Sequence, residues 1–200
     1  MQGYGTMAGE AYQQMQEYGC KRPTHIFIQA GVGSLAGAII GYFSNVYKDN
    51  PPIMVVVEPD NAACIYKSAK NGDGNPHIVD GDMQTIMAGL ACGEPNIISW
   101  DILKNHISYF VSCPDSVAAK GMRVLGAPLK GDPQVVSGES GAVTAGLLSI
   151  VSKCPSMEEF KNKLQLDENS QVLLFSTEGD TDPIRYKEIV WDGDYSTIQK

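Results

Sequence analysis

Between Thr24 and Gly37 the chain reads Thr24-His25-Ile26-Phe27-Ile28-Gln29-Ala30-Gly31-Val32-Gly33-Ser34-Leu35-Ala36-Gly37, an apolar strand pattern that runs through closely spaced glycines into a helix start. A β-branched and aromatic run broken at once by glycine and small residues is how a chain turns from strand to helix in a few positions. After Pro51-Pro52 comes Ile53-Met54-Val55-Val56-Val57, apolar at every position. A strand with no polar face must be covered on both sides, which is the situation inside a parallel sheet. These two stretches point to an α/β fold: a parallel twisted sheet with helices on both faces, whose right-handed crossovers carry the helices.

The rest of the chain alternates in the same way, with no internal repeat and no low-complexity linker. Helices are expected over Thr6 to Tyr18, Ser34 to Tyr47, Asn61 to Lys67, Asp82 to Ala91 and Ile98 to Asn105. Further helices are expected over Asp115 to Leu125, Glu139 to Val151, Ser156 to Leu164 and Asp182 to Val190, with Thr6 and Asp182 as N-caps. Strands are expected over Thr24 to Gln29, Ile53 to Val57, Ser108 to Ser112 and Gln171 to Ser176. The Gly/Asn/Asp-rich stretch Asn71 to Asp80 reads as an irregular loop.

Charge and composition narrow the partners. With 15 basic and 23 acidic residues the net charge is -8, which disfavours nucleic acid and anionic membrane as partners. The longest aliphatic run, Ile53 to Val57, is far short of the roughly 18 residues a membrane span needs. Met1-Gln2-Gly3-Tyr4-Gly5 has neither the basic nor the apolar part of a secretory signal, so the expected compartment is the cytoplasm. The cysteines at 20, 64, 92, 113 and 154 lack zinc spacing, and no metal is expected. Dispersed thiols in such a chain are ordinarily free. The pair Cys64 and Cys92 brackets the polar loop, where a redox-sensitive clip is the one alternative to free thiols.

The glycine turn carries the chemistry. Where a strand ends in glycines and a helix begins, backbone N–H groups and the positive end of the helix converge, and an anion is favoured there. Gly31 and Gly33 allow unusual backbone angles and close approach, and Ser34 can cap the helix and offer its hydroxyl. The same residues also suit a tight βα turn chosen only for geometry. A dinucleotide site is a further reading, since Glu58 ends the following strand, although the sixth motif position is Ala36 with Gly37 one place late.

Other polar residues have structural readings. His25, entering the turn, and His106, before a strand, are expected to be packed or capping. His77 beside Pro76 is expected to be exposed. Glu58 orients backbone at a strand end or contacts a ribose or metal. Glu139 favours a helix start. Asp180 and Asp182 read as turn and cap residues, and Asp80 and Asp82 lack calcium-loop spacing.

Five separated segments, in order, resemble the fold type II family of pyridoxal-phosphate enzymes, which includes threonine dehydratases, serine racemase and the tryptophan synthase β subunit. They are Gly3-Tyr4-Gly5-Thr6 with Glu10, Ala30-Gly31-Val32-Gly33-Ser34-Leu35, Val57-Glu58-Pro59, Ser137-Gly138-Glu139-Ser140-Gly141-Ala142 and Phe175-Ser176-Thr177-Glu178-Gly179-Asp180. Met1 to Glu10, Ile86-Met87-Ala88-Gly89-Leu90-Ala91-Cys92-Gly93-Glu94-Pro95 and Ser176 to Gly179 look like the branch that eliminates ammonia from 2,3-diaminopropionate rather than a generic serine or threonine dehydratase.

The resemblance implies pyridoxal 5'-phosphate as cofactor and Gly31, Val32, Gly33, Ser34 and Leu35 as its phosphate-binding amides. It implies Ser176, or its neighbour Thr177, as the hydroxyl at the pyridine nitrogen. It further implies a small amino-acid substrate, a homodimer, and release of pyruvate and ammonia. Residues 1–200 correspond to the C-terminal part of such an enzyme, mostly the large cofactor-binding domain. The Schiff-base lysine of the family is expected upstream of Met1, because no lysine from Lys21 to Lys200 lies in a matching segment. No catalytic residue is therefore expected in this chain, and alone it is expected to be inactive.

Overall fold

The computed structural model describes residues 1–196, so Lys200 lies outside the described residues. The chain enters through α1 (Tyr4–Glu17), then β1 (His25–Gln29), α2 (Ser34–Val46), β2 (Ile53–Pro59), α3 (Cys64–Asn71), α4 (Ile97–His106) and β3 (Tyr109–Cys113). α5 (Asp115–Gly126), α6 (Glu139–Lys153), α7 (Glu158–Leu164), β4 (Val172–Leu173) and α8 (Pro183–Lys187) follow. The four strands form one sheet in the order β3-β2-β1-β4, and every pairing is parallel. The expected parallel sheet with helices on both faces is what the chain forms.

Alternation along the strands explains the layers. Ile26 and Ile28 of β1, with Met54 and Val56 of β2, pack into a core shared with residues of α1, α2 and α4. Phe27, Val55 and Val57 point the other way, into a core built with α5, α6 and α7. Every residue of β1 is buried, including its polar ends His25 and Gln29. Burying each such aliphatic or aromatic side chain contributes roughly 1.5–3 kcal/mol, which is why a strand without a polar face is stable only here. His25 is packed as expected: its Nε2 donates to the Leu164 carbonyl oxygen at 2.7 Å.

α5 and α6 touch backbone to backbone. A Cβ on Gly121 would run into the Ala142 carbonyl, and one on Gly146 into the Val117 carbonyl.

Three expectations are corrected. No α-helix spans Asp82 to Ala91; only a 3-10 turn at Ala88–Leu90 forms. Met83 has φ +51, and the Asp115 carboxylate at the start of α5 holds the Thr85 hydroxyl and the Ile86 N–H, so the segment is pinned there in a non-helical path. The periodic Ile86, Met87 and Leu90 are buried without an α-helix. Thr6 does not cap α1, which begins two residues earlier with Gly3 at the cap. The last strand is shorter than Gln171 to Ser176: β4 pairs with β1 only at Val172 and Leu173. Beyond that point the Gln29 side chain, not its backbone, reaches the Phe175 carbonyl at 3.0 Å, and the two chains part. Asp182 does cap α8, accepting from Arg185 N at 3.0 Å.

Candidate functional site

β1 connects through α2 to β2 on one side, whereas β4 joins it on the other. In parallel sheets a crevice opens at the carboxyl ends of strands where connections diverge in this way. Here it is widened by the parting of β1 from residues 174–177. The cleft has a volume of about 280 Å³ and is lined by Gln29 through Leu35, with Tyr4, Met7, Gly89, Leu90, Cys92, Ser140, Thr177 and Glu178.

Its floor is the glycine turn. Gly33 has φ +90 and occupies the cap position of α2, with no side chain closing the helix end. A Cβ on Gly33 would meet Ile65 and Leu103 at 3.2 Å, and one on Gly31 would meet the Leu90 backbone at 3.2 Å. Among the described residues no acceptor takes the N–H groups of Gly31, Val32, Gly33, Ser34 or Leu35. The neighbouring helix starts differ. Glu58 accepts from Ile65 and Tyr66 at α3, Asn96 from Ser99 at α4, and Glu178 from Ser140 and Gly141 at α6. The α2 end is thus the one of these four left open to a ligand, and convergent donors with a helix dipole behind them suit a phosphate. No lysine or arginine lines the cleft, so what its floor offers an anion is backbone N–H groups. The loop itself is tied down by Asn96 N, which donates to the Val32 carbonyl at 2.8 Å.

At the opposite wall the two hydroxyls of the Ser176-Thr177 pair separate. Thr177 lines the cleft and accepts from Gln29 Nε2 at 2.9 Å. Ser176 lines a larger groove of about 630 Å³ between α1 and the outer edge of β4, which meets the cleft at Met7. Successive residues of an extended chain face opposite ways, so only one of the two can serve a given site. The predicted amide donors and Thr177 are brought together; Ser176 is turned to the adjoining groove.

Glu58 orients backbone at the strand end, the first of the two readings considered for it. Its carboxylate is fully buried and accepts from Ile65 N at 2.8 Å and Tyr66 N at 2.6 Å, holding α3 behind the glycine turn. Burial pushes its carboxyl up to about 8, against the pull of those two N–H groups. Cys64 is also buried, and burial followed by the nearby Glu58 charge pushes its thiol up to about 12. Its Sγ lies 3.6 Å from the Gly31 carbonyl oxygen. Cys64 and Cys92 are both free thiols in this structure.

His77 is not simply exposed: it is half-buried and bonds the Asp73 carboxylate at 3.0 Å. His106 is exposed at the end of α4. Sequence reasoning missed Gln29, Asn96, Ser140 and Glu178. Asn96 had a local signal, an asparagine three residues before Ser99 at a helix start. Glu178 had none, because it caps a helix start 38 residues away in sequence.

The family described as "Pyridoxal-phosphate dependent enzyme" matches residues 1–176. Diaminopropionate ammonia-lyase of Salmonella typhimurium is 54% identical over 194 residues, covering 96% of this chain and 48% of that protein. The holo diaminopropionate ammonia lyase structure from Escherichia coli superposes with a TM-score of 0.89 at 50% identity, covering 98% of this chain and 48% of that one. Threonine deaminase isoform 2 of Solanum lycopersicum, at 18% identity and a TM-score of 0.68, shares the fold. The chain spans about half the length of the curated relatives it matches. An open α2 amide cradle, a facing hydroxyl and a sheet shared with these proteins have one common explanation: the chain belongs to the pyridoxal-phosphate-dependent enzyme family.

Proposed function

We propose that this chain is the cofactor-cradling, C-terminal part of an ammonia-lyase that converts 2,3-diaminopropionate and water to pyruvate and two molecules of ammonia. The observation that carries the reading is the cleft at the β1/β4 switch point, with uncapped amides on its floor and Thr177 on its wall. Identity of 52–54% to diaminopropionate ammonia-lyases supports the substrate. Gly31, Val32, Gly33, Ser34 and Leu35 would hold the phosphate of pyridoxal 5'-phosphate through their N–H groups, as a helix start with no internal cap favours. Thr177 would meet the pyridine nitrogen. Of the two hydroxyls, Thr177 is preferred over Ser176 because it shares the cleft with the glycine turn.

When bound, the cofactor supplies a conjugated ring into which the charge left by α-proton removal spreads. This chain's residues would supply orientation: the amides of the glycine turn would hold the phosphate end and Thr177 the ring end. A neutral hydroxyl at the ring nitrogen does not impose protonation as a carboxylate would, which suits loss of a β substituent. The lysine that anchors the cofactor belongs to the other half of the enzyme, so residues 1–200, mostly the large cofactor-binding domain, are inactive alone. The assembled enzyme is a cytoplasmic homodimer. Among the described residues no helix is long and apolar enough to cross a membrane, and the acidic charge balance agrees with a small-molecule partner rather than nucleic acid or a lipid surface.

The test is to join this chain to the N-terminal half its relatives carry and to follow pyruvate and ammonia. Release of both from 2,3-diaminopropionate, faster than from serine or threonine, is expected, with none from the isolated chain. Preference for a hydroxy amino acid would instead assign a dehydratase.

A further inference from the structure

We propose that Gln29 is a positioning residue which turns the Thr177 hydroxyl proton into the cleft, so that Thr177 meets the pyridine nitrogen as a donor and holds it unprotonated. The inference rests on the cleft being the pyridoxal-phosphate site, and it adds what sets the protonation state of the ring there.

Gln29 ends β1 and is 1% exposed. Which way its amide faces is decided by its neighbours. Nε2 lies 3.0 Å from the Phe175 carbonyl oxygen, which can only accept, so the nitrogen rather than the oxygen must sit there. The second N–H of the same nitrogen is directed at Thr177 Oγ1, 2.9 Å away. An amide nitrogen has no lone pair to offer, so the Thr177 oxygen accepts in this bond.

Two consequences follow for the hydroxyl. One of its lone pairs is occupied and faces the positive end of an N–H dipole, which makes the oxygen a poorer acceptor for anything else. Its single proton is directed away from Gln29, and among the described residues it has no protein acceptor. Thr177 is therefore presented to the cleft as a donor. A pyridine nitrogen accepts such a bond only when it carries no proton, so this arrangement favours the unprotonated ring.

A second observation supports a purpose for the amide. Gln29 Oε1 is buried with no hydrogen-bond partner. An unsatisfied buried carbonyl oxygen is costly, and an apolar side chain of similar length would avoid it. What the amide provides and an apolar residue could not is the pair of donors to Phe175 and Thr177, which holds residues 175–177 at this distance from β1 and fixes the hydroxyl's direction.

The experiment uses the assembled holoenzyme loaded with pyridoxal 5'-phosphate labelled with 15N at the ring nitrogen, and reads the ring 15N chemical shift against pH. Expected for the unaltered protein is an unprotonated ring nitrogen at neutral pH. Gln29→Met keeps the length and removes the donors. It should raise the protonated-to-unprotonated ratio at fixed pH by about fivefold, the effect of one neutral hydrogen bond. Thr177→Val should also move the shift.

A protonated ring nitrogen in the unaltered holoenzyme overturns the proposal without any variant, so a misfolded Gln29→Met protein does not shield it. If Thr177→Val moves the shift and a folded Gln29→Met does not, Gln29 has no such role while the reading of the cleft stands. If neither moves it, Thr177 does not touch the ring, and the reading of the wall fails together with the proposal.

Discussion

Replacing Glu58 with glutamine tests the physics behind the glycine turn. The carboxyl is fully buried at the end of β2 and receives two backbone N–H bonds at the start of α3, at 2.8 and 2.6 Å. Two effects oppose each other: burial disfavours the charged form, and the N–H donors favour it. Burial wins, carrying the group from its ordinary 4.5 to about 8. Between those values the native state keeps a proton that the unfolded chain has released. Stability from this group is therefore full at low pH and is lost as pH rises, until Glu58 ionises in the folded protein as well. The rise is worth about 5 kcal/mol in all, at about 1.4 kcal/mol per pH unit.

Glu58→Gln has nearly the same shape and does not titrate, so subtracting its stability from that of the parent cancels every other group. Urea unfolding of both proteins from about pH 5 to about pH 9 supplies the two curves. The parent's advantage should decline steadily up to about pH 8 and level off above it. A difference that stays flat, or that grows with pH, refutes the reasoning: it would mean that the two N–H donors outweigh desolvation and that the carboxylate is ionised throughout.

Gly33→Ala places a Cβ at φ +90 and 3.2 Å from Ile65 and Leu103; a left-handed non-glycine residue costs about 1–2 kcal/mol. Pyridoxal 5'-phosphate binding, followed by fluorescence titration, should weaken about tenfold while helical circular dichroism is kept. Gly146→Ala puts a methyl group into the Val117 carbonyl at the α5–α6 contact, so urea unfolding should show a loss of about 3 kcal/mol, or no folded protein. Asn96→Ala removes the α4 cap that bonds Ser99 N at 2.9 Å and should lower stability in the same assay by about 1 kcal/mol. Thr177→Val should weaken binding of pyridoxal 5'-phosphate to the assembled enzyme by about fivefold, the effect of one neutral hydrogen bond, whereas Ser176→Ala should leave it unchanged.

What the chain declares locally is what local physics decides. The unbroken apolar run of β2 requires a strand covered on both faces, and the glycine turn after β1 requires a strand-to-helix reversal with free amides; both stand in the folded protein as read. The open amides of Gly31 to Leu35 lie in one contiguous segment, so they are legible without knowing any partner. Periodicity misled at Ile86, Met87 and Leu90, where helical spacing belongs to a segment without an α-helix, anchored by Asp115, a residue about one strand and one helix away in the chain. Burial records that a residue faces the core and not by which backbone path it arrives there.

Which of Ser176 and Thr177 lines the cleft lay beyond the sequence for a related reason. Adjacent residues face opposite sides, and which side is the cleft depends on where β4 stops pairing with β1. That point is set by a long-range bond from Gln29 to Phe175, 146 positions apart. Likewise nothing near Glu58 in sequence says whether its carboxylate meets a ligand or a helix start; only the packing of α3 over β2 closes it off from solvent. Conformational preferences act over a few residues and can be read in order along the chain. Desolvation and hydrogen-bond pairing act between segments that meet only in space, and these decided which hydroxyl, which carboxylate and which helix end face the cleft.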